Sequence, residues 1–534
     1  MFLLLFLLYF SFLFSPCLSE KFVVKILAEN EEEAREIAEF YGFNVERKLT
    51  SFKNLYVINE DPGEELNLEH IIQELLEHEK VHIVEKLENF GRFKRQPISH
   101  GKRKAENLWQ LEPSMRIEEA WKTGFNGSSV TIAIVDDGVD ESHIDLKTSF
   151  SPNLSFDFVK FGNFPTPDKR ENELHGTQCA GLVSMSGNKC GLGVGHGAIL
   201  GGIKLLGPSL LNDALEADAL AFQNNKIDIY SVSWGPKDDG KTADGPKTLT
   251  AEAISDGVKE GRNRKGNIFV WASGNGGRLG DNCALDGYVN NEHTITFGVI
   301  DSTGSPASYA EGCSAVLSAI SGGDSSIRTT GFDSKCSHIS GSSASAAIAS
   351  GIIGLALQAN PSLTQRDVQK LIIESSDISQ IRNISVQENG VGLKFHPKVG
   401  FGLLNAEKMV KLARNWEKVK EQKQSEVISH SIYSDTNIIE INTADDLQII
   451  ERVILSVDIY HKNRGELSMS LESPMGTISE ILAKRPTDKN ANLLDWKFVS
   501  VNFFGENPQG TWKLHISTSN SYTFRDMSFK ITGT

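Results

Sequence analysis

An α/β domain with a parallel sheet covered by helices, preceded by a small α+β unit and followed by an all-β jelly roll, is the fold class the sequence predicts. Three observations predict it. Between about 105 and 415, short β-branched runs (VTIAIVDDG, AILGGIKLL, IDIYSVSW, NIFVWASGN, TITFGVI, SAVLSAIS) alternate with helical stretches such as DALEADALAFQNN. That alternation builds a helix-covered parallel sheet. Residues 20 to about 95 instead open on the apolar strand FVVKIL and hold two acidic helical stretches, AENEEEAREIAEF and LNLEHIIQELLEHEK. From about 427 onward, RVILSVDIYH, GELSMSLESPMGT and GTWKLHISTS are separated by Asn, Gly and Pro turns, the pattern of a β-sandwich or jelly roll.

The bulk properties agree with several domains. A chain of 534 residues, 39% hydrophobic and 23% charged, exceeds what one ordinary core supports. A net charge of -15 disfavours nucleic acid or an acidic membrane surface as partner and suits basic ligands. The opening MFLLLFLLYFSFLFSPCLSE is an apolar run ending in small residues, which reads as a signal peptide over 1–19 with cleavage after Ser19. No later segment approaches the uninterrupted apolar length of a membrane helix. The mature chain is therefore expected without a membrane span, in an oxidising lumen where disulfides persist. Asn126, Asn153 and Asn383 begin glycosylation triplets. Arg92-Phe93-Lys94-Arg95, followed by Gln96-Pro97, reads either as a solvated linker or as a processing site between folded segments.

The chemistry gathers where strands of such a sheet end. Asp136 and Asp137 close the strand TIAIV as adjacent, mutually repelling carboxylates. His175 sits in ELHGTQCAG at the expected start of a helix, and Ser343 in a small-residue turn that runs into an apolar helix. A hydroxyl becomes a competent nucleophile when an imidazole removes its proton, and the imidazole needs a carboxylate to fix its tautomer. Asp136, His175 and Ser343 supply the three groups. Asn275, in WASGNGG after the strand NIFVW, is placed to donate its amide to an oxyanion. Removal of Cys17 with the signal leaves Cys179, Cys190, Cys283, Cys313 and Cys336, an odd number that leaves one thiol free and a connectivity spacing does not fix. Cys179, four residues after His175, is open to reading as a nucleophile, a metal ligand or a small buried hydrophobe.

The motifs VDDGVD, HGTQCAG, IYSVSWGPKDDGKTADGP, FVWASGNGG and GSSASA follow one another as in the kexin and furin branch of the subtilisin-like serine proteases, the proprotein convertases, which this chain resembles along its length. The resemblance implies a subtilisin-like peptidase domain over 96–420, a propeptide over 20–95 and a P domain over 427–534, where SPMGT, AKRPTD, LDWKFVSV and NPQGTWKLHI carry the likeness. It implies a calcium-dependent endopeptidase that cleaves precursors after paired basic residues and first cleaves itself between Arg95 and Gln96. Asp238 and Asp286, with Trp234 as a wall, would hold the residue before the scissile bond. Asp137 would face the preceding residue, and Glu216, Asp244 and Tyr288 the one four places before the bond. Asp238, Asp281 and Glu311 match one calcium site and Asp145 one ligand of another, which Lys102 and the short loop SMSGNKCG alter. The implied disulfides are Cys190 to Cys336 and Cys283 to Cys313. Other departures are Asn172 for an acid, Lys237 in WGPKDD, Ser342 and Ala347.

The expected partners are precursors with dibasic sites, such as prohormones and neuropeptide precursors, and the chain's own propeptide as a transient inhibitor. The chain ends soon after the last strands, as in the soluble prohormone-convertase type, and it is expected as a monomer in the Golgi or secretory vesicles, or secreted. A catalytically silent binder or chaperone of basic peptides would use the same acidic cleft. It would have no need of Asp136, His175, Ser343 and Asn275 together.

Overall fold

A computed structural model describes residues 20–60, 68–95, 115–322, 327–434, 437–444 and 446–534. The expected signal peptide, Gln96 and Lys102 lie outside the described residues. The chain divides into two compact units. The first comprises Met1–Phe90, Leu211–Phe222 and Thr248–Ala253, and the second Gly91–Leu210, Gln223–Lys247 and Ile254–Thr534.

In the first unit, β1 (Lys21–Ile26), β2 (Phe43–Lys48), β3 (Leu55–Glu60) and β4 (Val81–Lys86) form an antiparallel sheet in the order β2-β3-β1-β4. Helix α1 (Glu31–Phe40) starts at Asn30, whose side chain accepts from Glu33 N at 3.0 Å, satisfying a backbone donor the first turn leaves open. Helix α2 spans Leu68–Glu77. Strand alternation decides what each face buries. Phe22, Val24 and Ile26 join Ala34, Ile37, Ala38 and Leu75 in one cluster. Val23, Leu55 and Val57 join Ala214, Ala217 and Ala221 of the helix Asp213–Ala221 in another. Asp218 of that helix is buried and accepts from Thr50 N at 2.9 Å, Ser51 N at 2.6 Å and Arg47 Nη1 at 3.1 Å. Burial raises its carboxyl above the ordinary range, against the pull of those donors.

The second unit is built on a nine-stranded sheet. With β5 (Phe93–Lys94) set apart, its strands are β6 (Thr131–Asp136), β7 (Phe156–Asp157), β8 (Ile199–Lys204), β9 (Ile229–Val232), β11 (Ile268–Ala272), β12 (Thr294–Ile300) and β13 (Val316–Ser321), ordered β13-β12-β11-β9-β6-β8-β7, with Leu403–Leu404 and Ser376–Asp377 beyond β13. Every pairing is parallel except the last. The central strands are buried on both faces, which is why they read as continuous apolar runs. Helices α3 (His175–Ser184) and α4 (Ser342–Ala359) are packed into the core. By length and composition α4 could cross a membrane, contrary to the sequence expectation, but 89% of it is buried inside the protein. A helix enclosed on all sides has no face to keep polar.

The C-terminal region of the same unit is a β-sandwich. One sheet runs Ile438–Thr443, Gly510–Ser517, Ser468–Glu472, Ile478–Leu482. The other runs Lys423–Gln424, Tyr522–Gly533, Ile450–His461, Leu493–Ser500, with Ile428–Ser434 also paired to Tyr522–Gly533. Trp512 fills the space between them against Phe503 and Phe529. Disulfides join Cys190 to Cys336 and Cys283 to Cys313, each across 5.4 Å between Cα atoms, and Cys179 is free and buried.

Asp218→Asn should loosen the first unit. The substitution weakens acceptors of two backbone donors and a guanidinium, a loss on the order of 2 kcal/mol for bonds to a charged group. Urea unfolding and limited proteolysis would measure it. Unchanged protection of residues 20–60 from nicking would show that Asp218 does not hold that segment.

Candidate active site

Asp136 is the last residue of β6 and His175 the first of α3, so the sheet edge and a helix start bring them together. His175 Nδ1 lies 2.9 and 2.8 Å from the two Asp136 oxygens, with both residues buried. Asp137 fixes the helix start: its Oδ2 accepts from His175 N at 3.1 Å and its Oδ1 from Gly176 N at 2.7 Å, charge placed where the helix dipole favours it. Burial lowers the proton affinity of His175, but Asp136 and Asp137 outweigh it, and the pKa is raised. Burial and the nearby Asp136 raise Asp137, with Lys94 and His175 opposing.

Ser343 stands in the first turn of α4 and its Oγ lies 2.6 Å from Arg95 O and 3.3 Å from Ser233 O. Asn275 is tied down by Ser342 N, which donates to its Oδ1 at 3.0 Å, and by its own N–H, which donates to Asp238 Oδ2 at 2.8 Å. Among the described residues, the buried polar atoms without a hydrogen-bond partner include His175 Nε2 and Asn275 Nδ2. Buried groups are seldom left unpaired. A free imidazole nitrogen and a free amide N–H are the kinds of group that acyl transfer by a serine hydroxyl requires, one to take a proton and one to meet an oxyanion.

The segment Arg92–Arg95 occupies the cleft. Strand β5 pairs antiparallel with β10 (Trp234–Gly235), Lys94 opposite Trp234 and Phe93 opposite Gly235, and Arg95 N donates to Ser233 O at 3.0 Å. Alternation then sends Lys94 and Phe93 to opposite sides. The Arg95 guanidinium is buried against Asp286 and Ala272 O, with Nε 3.9 Å from Asp238. A Cβ at position 235 would overlap the guanidinium. Lys94 Nζ donates to Asp137 Oδ2 at 2.7 Å. Arg92 donates to Asp244 Oδ2 at 2.7 Å, Tyr288 Oη at 2.8 and 3.0 Å, and Gly245 O at 3.2 Å. Tyr288 is in turn stacked on Trp271 and edge-on to Trp234.

Of the groups lining this cleft, sequence reasoning named Asp137, Trp234, Asp238, Asp244, Asp286 and Tyr288. It missed Ser233, Ala272 and Gly245, which act through carbonyl oxygens and carry no side-chain signal, and Trp271, which reads as an ordinary strand residue. Glu216 is buried on the helix Asp213–Ala221, in the first unit. Asn172 has a left-handed backbone, φ 54°. The neighbouring acid Glu173 is buried in an ion pair with Lys204. Lys237 extends toward solvent and lies 3.8 Å from Asp239. Ser342 Oγ accepts from Gly274 N at 3.2 Å, and Ala347 is buried in the core.

Among the described residues, Asp136, His175 and Cys179 converge closely enough to resemble a metal-binding group. Burial first, and Asp136 next, push the Cys179 thiol well above its ordinary range, which suits a small buried hydrophobe and disfavours a thiolate nucleophile. Asp145 accepts from Lys189 N at 3.0 Å and Cys190 N at 2.7 Å. Each Asp145 oxygen thus already accepts one backbone amide of the loop 186–190. Asp238, Asp281 and Glu311 offer only oxygen, the donor calcium prefers. Burial, then Asp281 and Asp238, push Glu311 well above the carboxylate range, a strain that a cation would relieve, and these residues fit one.

Comparison with known proteins adds three matched regions. Residues 21–95 match the Peptidase S8 pro-domain, residues 127–402 the Subtilase family and residues 450–528 the Proprotein convertase P-domain. The chain is 56% identical over 517 residues to endoprotease aex-5 of Caenorhabditis elegans, covering 96% of this chain and 95% of that one. It is 34% identical over 549 residues to neuroendocrine convertase 2 of Rattus norvegicus, covering 94% and 86%. Among solved structures, the serine protease of Aeromonas sobria in complex with its chaperone superposes with a TM-score of 0.69 at 20% identity, over 78% of this chain and 90% of that one, a likeness of fold.

Asn275→Ala should lower kcat by about 100- to 1000-fold, the usual cost of one oxyanion donor, with KM little changed. A parallel rise in KM would instead mark Asn275 as a ground-state contact. Because only neutral imidazole accepts a proton, kcat/KM should climb with pH through one ionisation above imidazole's ordinary value of about 6.5. Asp136→Asn should move that ionisation downward as well as reduce the rate, and a pH profile left in place would contradict the pairing.

Proposed function

The chain belongs to the subtilase family, in its kexin- and furin-like proprotein-convertase branch, and from that premise of a serine endopeptidase that processes precursors at basic sites we propose the residues, first substrate and setting of the reaction. Ser343 is the nucleophile, His175 the general base and acid, Asp136 its orienting carboxylate and Asn275 the oxyanion donor. The first bond cut is the chain's own, between Arg95 and Gln96. The observation that carries this reading is the seating of Arg92, Lys94 and Arg95 on separate acidic or aromatic partners while the Arg95 carbonyl oxygen lies 2.6 Å from Ser343 Oγ.

Ser343 Oγ, which donates to Arg95 O before reaction, transfers its proton to His175 Nε2 as it adds to the carbonyl carbon of Arg95. The imidazolium is stabilised by Asp136, whose carboxylate keeps Nδ1 protonated. The carbonyl oxygen becomes an oxyanion and takes the free N–H of Asn275 Nδ2. Collapse expels the amine of Gln96, protonated from His175 Nε2, and leaves Ser343 acylated by Arg95. Water, deprotonated by the same nitrogen, releases the Arg95 carboxylate and restores the hydroxyl.

Specificity follows from desolvation. An enclosed cation needs a carboxylate partner, so a neutral residue at any of the three positions would leave buried charge unpaired. Subtilisin-like convertases are generally calcium dependent, and Asp238, Asp281 and Glu311 are the proposed ligands. Calcium there would supply positive charge that holds these acids ionised beside the pocket. The two disulfides support an oxidising secretory compartment, and the partners proposed are dibasic precursors, with residues 20–95 retained for a time as inhibitor.

Expression of Ser343→Ala in a host lacking other convertases should give a chain uncut at Arg95, whereas the unaltered chain should be cut there and then hydrolyse a fluorogenic Arg-X-Lys-Arg peptide. Cleavage of the alanine variant at Arg95, or no peptide turnover after the propeptide has gone, would overturn the assignment.

A further inference from the structure

The cleft wall that carries Asp238 is held from a distant part of the chain. The turn Gly240–Thr242 lies just beyond Asp238, and the loop 485–490 of the C-terminal sandwich covers it. Arg485 Nη2 lies 3.0 Å from Asp281 Oδ1 and donates to Thr242 O at 2.8 Å. Thr487 Oγ1 donates to Gly240 O at 3.0 Å, and Arg464 Nη2 to Lys241 O at 2.7 Å. All three carbonyls of the turn are thus met by donors of the sandwich. Asp488 holds both guanidinium groups, with Oδ2 3.2 Å from Arg485 Nη1 and 2.9 Å from Arg464 Nε.

The chain of contacts continues into the cleft. Asp281, fixed on one oxygen by Arg485, accepts Gly240 N on the other at 2.7 Å. Asp238, two residues before Gly240, accepts Asn275 N at 2.8 Å and stands 3.9 Å from Arg95 Nε. Gly240 itself has φ +70°, and a Cβ there would press on Thr487 Oγ1 and Leu279 O, so the turn is shaped to the loop that covers it. Arg485 is 1% exposed. A buried guanidinium held by two carboxylates and a carbonyl is a rigid fork and not a mobile surface charge.

We propose that Arg485 is a positioning residue for recognition of the basic residue before the scissile bond: by clamping Asp281 and the Gly240–Thr242 turn, it sets where Asp238 stands. The proposal deepens the reading of the Arg95 pocket given above and rests on it. Removal of the guanidinium frees Asp281 Oδ1 and Thr242 O, so the turn loses its anchor even where calcium supplies the countercharge of Asp281, Asp238 and Glu311. Asp238 then drifts from the position that serves a planar guanidinium. Asp238 acts on Arg95 as a nearby charge, 3.9 Å from an Nε that makes no hydrogen bond, so an arginine substrate loses that attraction at its fork, while a lysine, a single ammonium satisfied by Asp286 and Ala272 O, loses less. The signature is therefore a fall in arginine-over-lysine selectivity, which a lower yield of folded enzyme would not produce.

The test compares the full-length, processed enzyme with Arg485→Gln and Thr487→Val on fluorogenic Arg-X-Lys-Arg and Arg-X-Lys-Lys peptides, at one saturating calcium concentration. Rates are normalised to active sites titrated with a peptidyl chloromethyl ketone. Arg485→Gln should raise KM for the arginine peptide and reduce the ratio of kcat/KM values about tenfold, the scale of one charge-assisted contact. A ratio within about twofold of the parent would overturn the proposal. Should Arg485→Gln fail to fold, Thr487→Val decides: it removes only the hydroxyl on Gly240 O, and it should lower the ratio by about threefold, an unchanged ratio again counting against the clamp. If the parent enzyme hydrolyses neither peptide, the failure belongs to the cleavage reading and not to Arg485.

Discussion

A guanidinium that gives up water must meet a carboxylate and carbonyl oxygens in return, and the cleft is organised around that demand. Arg95 enters a pocket closed by Asp286, Ala272 O and the more distant Asp238. Once its side chain is committed, the two-residue ladder with Trp234 and Gly235 leaves the backbone one register. That register brings the carbonyl oxygen to Ser343. Lys94 and Arg92 secure it from neighbouring positions, and a slip of one residue would place Phe93 or Gln96 where cations are needed. Side-chain electrostatics thus select which peptide bond is presented to Ser343.

The parallel sheet explains why so many charges tolerate one another here. Its strands end along one edge, so Asp136 after β6, Trp234 after β9 and Asn275 after β11 converge although they are far apart in sequence. Asp137 shows how economically the edge is used. One of its oxygens caps the start of α3 and the other serves both His175 N and Lys94. The carboxylate that holds the backbone of His175 is therefore also the partner of Lys94.

What the sequence made legible is what side chains announce. The apolar runs marked the central strands, and the small-residue turn at Ser343, the histidine at a helix start and the paired acids after TIAIV marked the chemistry. The carbonyls of Ser233, Ala272 and Gly245 were invisible, because a backbone acceptor has no residue type. The pairing of Glu173 with Lys204 was hidden for another reason: the two meet only after β8 folds beside β6. Helix α4 was read as an apolar helix, and its enclosure in the core explains why its hydropathy matches that of a helix in a bilayer. The anchoring of Asp281 by Arg485 spans over two hundred residues and could be read only from the assembled sandwich.

The position of Lys204 changes how the substitution at Asn172 is understood. With an amide at 172, the neighbouring Glu173 would be the natural replacement acid for the residue preceding Arg95. Glu173 is instead buried against Lys204 and accepts Asp168 N at 2.6 Å, so its charge is already answered within the fold. Lys94 is left with Asp137 as its hydrogen-bonded carboxylate. Burial lowers the proton affinity of Lys94, yet Asp137, Asp136 and Glu173 more than offset it and the ammonium is held charged. Glu173 contributes there only through space, at a discount imposed by its own partner. Demand for a cation therefore differs along the cleft: Arg95 sits fully enclosed with its guanidinium among acids, while Lys94 keeps a third of its side chain exposed and can be solvated in part by water. The physics places the strictest selection at the residue before the bond and a looser one at the residue preceding it.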